Sequence, residues 1–248
     1  MGRLGLVIIT MVSLLLVSHA GAEVQTITAT HTYTLGNIDS RNDARQLSQS
    51  LEPSSLLGTI EVVFMPEQTA GIIDGCTLGY RVISQDHLYR NGARFIIVGN
   101  ITYSTNKDRS GHVLSLKIGV LDTLDASVRS EPPFFAYIQT AHGTTARSLF
   151  KQFDSPDPNM RGFRHFMYGM DENTMKVYTD LFSPGEPVTI GFNRMKDGPD
   201  VLVPLDLSVV NSASSKAGLI HRRSDQMVLQ FGACASNVTE QVLKQLAK

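Results

Sequence analysis

The chain has 248 residues, 42% of them apolar, with a net charge of −1, two cysteines and no tryptophan. The near-neutral balance gives no long-range field toward nucleic acid or an anionic membrane surface. The length fits one large domain or two small ones, and the lack of indole argues against a glycan platform built on tryptophan stacking.

Residues 1–22 read as an export signal. Arg3 gives a positive start, Leu4–Val17 is an uncharged apolar run, and Ala20-Gly21-Ala22 supplies a small-x-small site before Glu23. The run is shorter than the about 20 residues of a membrane-spanning helix. No cysteine lies at the cleavage site, so no lipid anchor is expected there. The expected product is periplasmic or secreted, cleaved after Ala22, with no membrane span in its mature form. In an oxidising compartment Cys76 and Cys234 are expected to form one disulfide. That bond would close a loop of roughly 160 residues, for which chain entropy allows about 5 kcal/mol. Two separate buried thiols are the alternative.

Residues 23–57 form the next segment. Thr26–Leu35 is rich in β-branched residues and reads as a strand, broken by Gly36-Asn37. A helix follows, with Ser40 as cap, Asp43 near its positive end, an apolar face of Ala44, Leu47 and Leu51, and Pro53 as stop. The pattern Gly36-x-x-Asp39-Ser40-x-x-Asp43-Ala44-Arg45 after a strand resembles the N-terminal strand-turn-helix module of uncharacterised secreted bacterial envelope proteins. The resemblance covers residues 24–51. It implies a bacterial envelope setting and no particular activity. Capping and a local ion pair account for Asp39, Ser40, Asp43 and Arg45 without a binding role.

From residue 58 onward the sequence reads as one unit written twice. Leu88–Gly92 and Leu181–Gly185 lie 93 residues apart, as do Phe95–Asn100 (FIIVGN) and Val188–Asn193 (VTIGFN), and Leu149–Phe153 and Val242–Leu246. Ser115–Val120 pairs with Pro204–Val209 at 89 residues, and Thr77-Leu78 with Thr174-Met175 at 97. The order and the repeated offset suggest a duplication. The expected fold is mainly β with short helices, α+β: two tandem antiparallel units of about 90 residues, each closed by a helix and sandwich-like. The units would be residues 58–153 and 163–248, joined by a linker at 154–162.

In the first unit strands are expected at Thr59–Met65, Thr77–Ser84, Arg94–Ser104, His112–Leu121 and Phe134–Thr140, and a helix at Thr144–Phe153. In the second, strands are expected at Phe163–Gly169, Thr174–Leu181, Pro187–Arg194, Val201–Val210 and Gln226–Ala233, and a helix at Val238–Ala247. Alternation is clearest in Leu114, Leu116, Ile118 and Val120. Asn237 and Glu240 have capping-box spacing at the start of the final helix.

No strong catalytic motif appears: no G-x-S-x-G elbow, H-E-x-x-H, Walker loop, G-x-G-x-x-G or C-x-x-C. The histidines are scattered, and no cofactor or metal-ligand set is indicated. Asp86-His87 reads as a polar strand end or turn. Phe163, His165, Phe166, Met167, Tyr168 and Met170 read as core, with an exposed partner groove as the minority view. Asn211–Asp225 is the longest polar loop, and Lys216, His221, Arg222 and Arg223 form its basic cluster, the candidate binding residues. The expected function is an exported, non-enzymatic envelope protein that binds a protein or cell-wall glycan partner. The alternative is a secreted or periplasmic hydrolase whose site is assembled from distant residues.

Overall fold

The computed structural model describes residues 57–69, 71–106, 111–122, 131–215 and 218–246. Residues 1–22, expected as an export signal, and residues 24–51, expected as a strand-turn-helix module, lie outside these. Eleven strands are described: β1 (Gly58–Thr69), β2 (Ile72–Asp86), β3 (Ala93–Thr105), β4 (His112–Leu121), β5 (Phe135–Thr140), β6 (Leu149–Asp154), β7 (Phe163–Gly169), β8 (Val188–Asn193), β9 (Val201–Leu205), β10 (Val209–Ser215) and β11 (Gly218–Arg223). Helix α1 (Glu172–Leu181) lies between β7 and β8, and α2 (Gln226–Leu246) follows β11. The chain is therefore mainly β, with antiparallel pairing throughout.

A six-stranded sheet runs β1-β2-β3-β4-β7-β6, a three-stranded sheet runs β5-β8-β9, and β10-β11 is a hairpin. Strand alternation decides which face of the large sheet is core. Leu78, Tyr80 and Val82 of β2, Leu114, Leu116, Ile118 and Val120 of β4, and Phe166 and Tyr168 of β7 are all buried in one cluster. The same cluster takes Ala136 and Ile138 of β5, Val188, Ile190 and Phe192 of β8, and Val228, Phe231, Ala235 and Val238 of α2. Both sheets and both helices thus close on a single apolar core.

Two turns show why glycine stands where it does. Asn91 and Gly92, with φ of 50° and 82°, turn β2 into β3 in the left-handed region that Asn-Gly accepts. Gly191 sits opposite Tyr137 on the neighbouring strand, and any Cβ there would strike the Tyr137 ring.

Three expected elements take another form. Thr174–Leu181 is helix, not strand. Asp171 caps it by accepting from the Thr174 N–H at 2.9 Å, and Thr174, Val177, Tyr178 and Leu181 are buried at helical spacing. Gln226–Ala233 is the first half of α2, not a strand. Val228, Phe231, Ala235, Val238 and Val242 are buried along one continuous stripe. Asn237 therefore lies inside the helix, where its Oδ1 accepts from Gln241 Nε2 at 2.7 Å instead of capping. Thr144–Phe153 is not a helix; its second half is β6, which pairs with β7 after a bulge between Leu149 and Lys151. A short apolar run carries too little periodicity to separate the two forms.

Some of the paired segments diverge. Leu149–Phe153 is strand while Val242–Leu246, 93 residues on, is helix, and Thr77-Leu78 is strand while Thr174-Met175, 97 residues on, is helix; Phe95–Asn100 and Val188–Asn193 are both strand. The strands also cross the expected unit boundary: β7 sits between β4 and β6, and β5 joins β8 and β9. Of residues 154–162, expected as a linker between units, Asp154 ends β6 and the rest connect it to its hydrogen-bonded neighbour β7 through a 3-10 turn at Pro158–Met160. Proline and aspartate suit such a turn as well as they suit a linker. The disulfide is present: Cys76 of β2 is bonded to Cys234 of α2, with Cα atoms 5.9 Å apart.

Candidate functional site

Open strand edges are where a β protein most readily meets another chain. The edges here differ in how they end. The β5 edge carries a bridge from Thr144 to Gln139. The β9 edge holds Pro204, which has no N–H to offer a ladder. The β6 edge has neither device. It is the last strand of the large sheet, and among the described residues it pairs only with β7.

All of β6 except Leu149 is exposed. Phe150 is 58% exposed and Phe153 37%, so two aromatic rings stand at a sheet edge in solvent. The ladder fixes which backbone groups are open. Ser155 N–H donates to the Phe163 carbonyl at 2.8 Å. By alternation Phe153 and Lys151 also bond inward, and the N–H and C=O groups of Gln152 and Asp154 point away from β7.

The flank of this edge lies on the sheet face opposite the core. Phe153 stacks on His165 of β7, with centroids 4.9 Å apart and planes within 4°. Lys151 Nζ sits 5.3 Å from the Phe153 ring centre. On the next strand Lys117, opposite His165, lies over the Phe163 ring and bonds the Met160 sulfur. Burial pulls the Lys117 ammonium below its usual range, against the pull of Asp157 and Glu67. Burial, and then the Lys117 charge, hold His165 below the usual histidine value. The result is an aromatic and cationic border beside a free ladder. Phe163, His165 and Met167 face this border while Phe166 and Tyr168 enter the core, so the aromatic run serves both faces.

Charged residues gather elsewhere. Asp86, at the end of β2, is fully buried. Its Oδ1 accepts from the Leu88 and Tyr89 amides, and its Oδ2 meets Arg194 Nε at 2.7 Å. Arg194 also forks onto Asp122 at 2.7 and 3.1 Å, and Arg90 joins Asp122 at 2.9 Å. Every charge in this network is matched, so it ties loops together and leaves no free group for a ligand.

His142 and Asp180 form a histidine–carboxylate pair at 3.0 Å. The His142 side chain is 62% exposed, and among the described residues no hydroxyl or thiol bonds to its ring. A cleft of about 380 Å³ lies between the ends of β8 and β9 and the start of α2. It is lined by Ser183, Glu186, Asp206 and Ser208 among others, with no histidine. Among the described residues no group of three or more His, Cys, Asp or Glu side chains is placed to hold a metal ion.

The basic cluster expected at Asn211–Asp225 is not a loop. His221, Arg222 and Arg223 are consecutive positions of β11, paired with Asn211, Val210 and Val209. Lys216 lies outside the described residues. The polar, serine-rich composition hid a hairpin because its strands lack apolar alternation. The β6 edge was missed for the opposite reason: Ala146, Leu149, Phe150 and Phe153 also fit an i, i+3, i+4, i+7 stripe, which suits the helix expected at Thr144–Phe153. Asp86, expected as a strand end or turn, ends β2 and caps the turn; its ion pair with Arg194 was not foreseen. Among the described residues no helix is long and apolar enough to cross a membrane.

No protein-family model matches this chain, and no curated protein or solved structure is significantly similar to it.

Proposed function

We propose that this chain is an exported, non-enzymatic envelope protein that binds another polypeptide by adding an extended segment to β6. The observation that carries the reading is the β6 edge itself: outward backbone groups at Gln152 and Asp154, two exposed phenylalanines, and no described strand on the side away from β7. In strand addition, ladder hydrogen bonds supply affinity and flanking side chains supply choice. The two antiparallel sheets on one core would act as a sandwich-like frame that keeps this edge straight. The signal-like residues 1–22 and the Cys76–Cys234 bond support export, since such bonds persist in oxidising compartments.

The test is capture of binding proteins from envelope extract on the immobilised mature chain. A Phe150→Ser/Phe153→Lys variant is compared with Arg222→Ala/Arg223→Ala. The edge variant is expected to lose the captured protein and the basic-strand variant to keep it. The reverse pattern would move the binding site to β11 and overturn the reading.

A further inference from the structure

The reading of β6 as a binding edge leaves its occupant open, and the strand's own sequence narrows it. We propose that β6 pairs antiparallel with β6 of a second copy of this chain, about a twofold axis at Phe153. The inference rests on that reading of the edge.

A twofold axis perpendicular to the sheet must keep each face continuous, so only axes that pass through a residue position are allowed. Five such positions lie within the exposed part of the strand; an axis at Phe150 would fall on the bulge, and one at Asp154 would set aspartate against aspartate. An axis at Lys151 would set lysine against lysine. An axis at Gln152 would need Phe150 in the ladder, and the bulge between Leu149 and Lys151 displaces that residue. An axis at Phe153 has none of these faults. Gln152 then faces the second copy's Asp154, and both use the N–H and C=O groups that point away from β7. The two symmetric pairs give four ladder hydrogen bonds. Lys151 faces the second copy's Ser155, so no like charges meet. Asp154 is already held by Arg164 at 2.7 Å, which neutralises the one acid on the seam.

The side chains fit the same axis. Phe153 bonds inward to β7, so across the seam it forms a non-hydrogen-bonded pair with its symmetry mate, the closer kind of cross-strand pair. The Phe153 ring is already parallel to His165 at 4.9 Å. Adding the second copy would extend this to a ladder of four rings, His165–Phe153 from each chain. An unrelated strand would have to bring its own ring to that position; a second copy brings it by symmetry.

The experiment uses the whole mature chain with its native disulfide intact. Sedimentation equilibrium of the wild type should show a dimer, and Phe153→Lys should weaken it at least tenfold, ~1.4 kcal/mol. Phe153→Cys should cross-link to itself under mild oxidation, because a cross-strand pair has Cβ atoms within disulfide range. Lys151→Cys should not, because in this register two Lys151 positions lie about four residues, roughly 13 Å, apart along the seam. A dimer that does not link through Phe153→Cys overturns the proposal. So does a wild type that stays monomeric. In that case amide exchange at Gln152 and Asp154 separates the two claims. Rapid exchange in the monomer means that the edge is open and only self-pairing has failed. Protection in the monomer means that the edge is already covered, and the binding reading fails with it.

Discussion

Replacing Arg194 with methionine isolates the value of one buried charge pair. Asp86 has no solvent exposure, and its Oδ2 lies 2.7 Å from Arg194 Nε. Without the guanidinium, the carboxylate keeps, among the described residues, two backbone donors, from Leu88 and Tyr89. Methionine keeps an unbranched apolar chain, while the guanidinium carbon that lies 5.7 and 6.0 Å from the Phe95 and Phe192 ring centres is lost together with the charge. Asp122 is partly exposed and regains water, so its arm of the network adds little. Breaking a buried pair from one side costs about 3–5 kcal/mol. The two retained amide bonds place the expected loss near the lower end, about 3 kcal/mol. Urea unfolding followed by circular dichroism and fluorescence in parallel would measure it. Lys176→Ala serves as the contrast, since its partner Glu172 is 84% exposed and losing a solvent-screened pair should leave the unfolding midpoint essentially unchanged. If Arg194→Met costs under about 1 kcal/mol, Asp86 is not held as a buried anion and this reasoning fails.

Further outcomes follow from single features. Asp171→Ala removes the α1 cap and should cost about 1 kcal/mol in urea unfolding; no change would mean water replaces the cap. The Ser148 hydroxyl, then the Thr174 amide, hold the Asp171 carboxyl below its usual range. A depressed folded value means the contribution is complete above the unfolded aspartate value and fades as pH falls through the folded one. Asp171→Asn should therefore flatten stability against pH in the acid range, and an unchanged profile would remove Asp171 from the explanation. Cys76→Ala with Cys234→Ala should lose about 2–5 kcal/mol, read as a lower unfolding midpoint that added reductant no longer shifts. Gly191→Ala should destabilise by forcing the Tyr137 ring off its contact, and a variant as stable as the parent would show that the strands can separate freely.

The legible parts of the sequence were those whose signal is local. The alternation of Leu114, Leu116, Ile118 and Val120 gave β4 its span and its buried face. Asn91-Gly92 marked the β2–β3 turn. Two cysteines in an expected oxidising setting gave the disulfide. Misread elements were those with two valid patterns. Thr174–Leu181 carries β-branched residues and an i, i+3, i+4, i+7 stripe at once, and only the Asp171 cap favours helix. The Arg194 network was invisible because its partners lie 108 and 72 residues away, and no local spacing reports such a meeting. The β6 edge depended on sheet order, which pairs β7 with β4 across the two intervening strands β5 and β6 and leaves β6 outermost among the described strands.

The Cys76–Cys234 bond also sets an order of events. Helix α2 follows all eleven strands and packs on β1, β2 and β3. The apolar face of those strands is made early and stays without its lid until residue 234 has been synthesised. For that interval Cys76 is an unpaired thiol on an unfinished sheet, 158 positions ahead of its mate. A chaperone or thiol oxidant that meets the nascent chain would therefore find it in a defined vulnerable form. Closing the bond is the step that turns a sticky half-product into a finished protein.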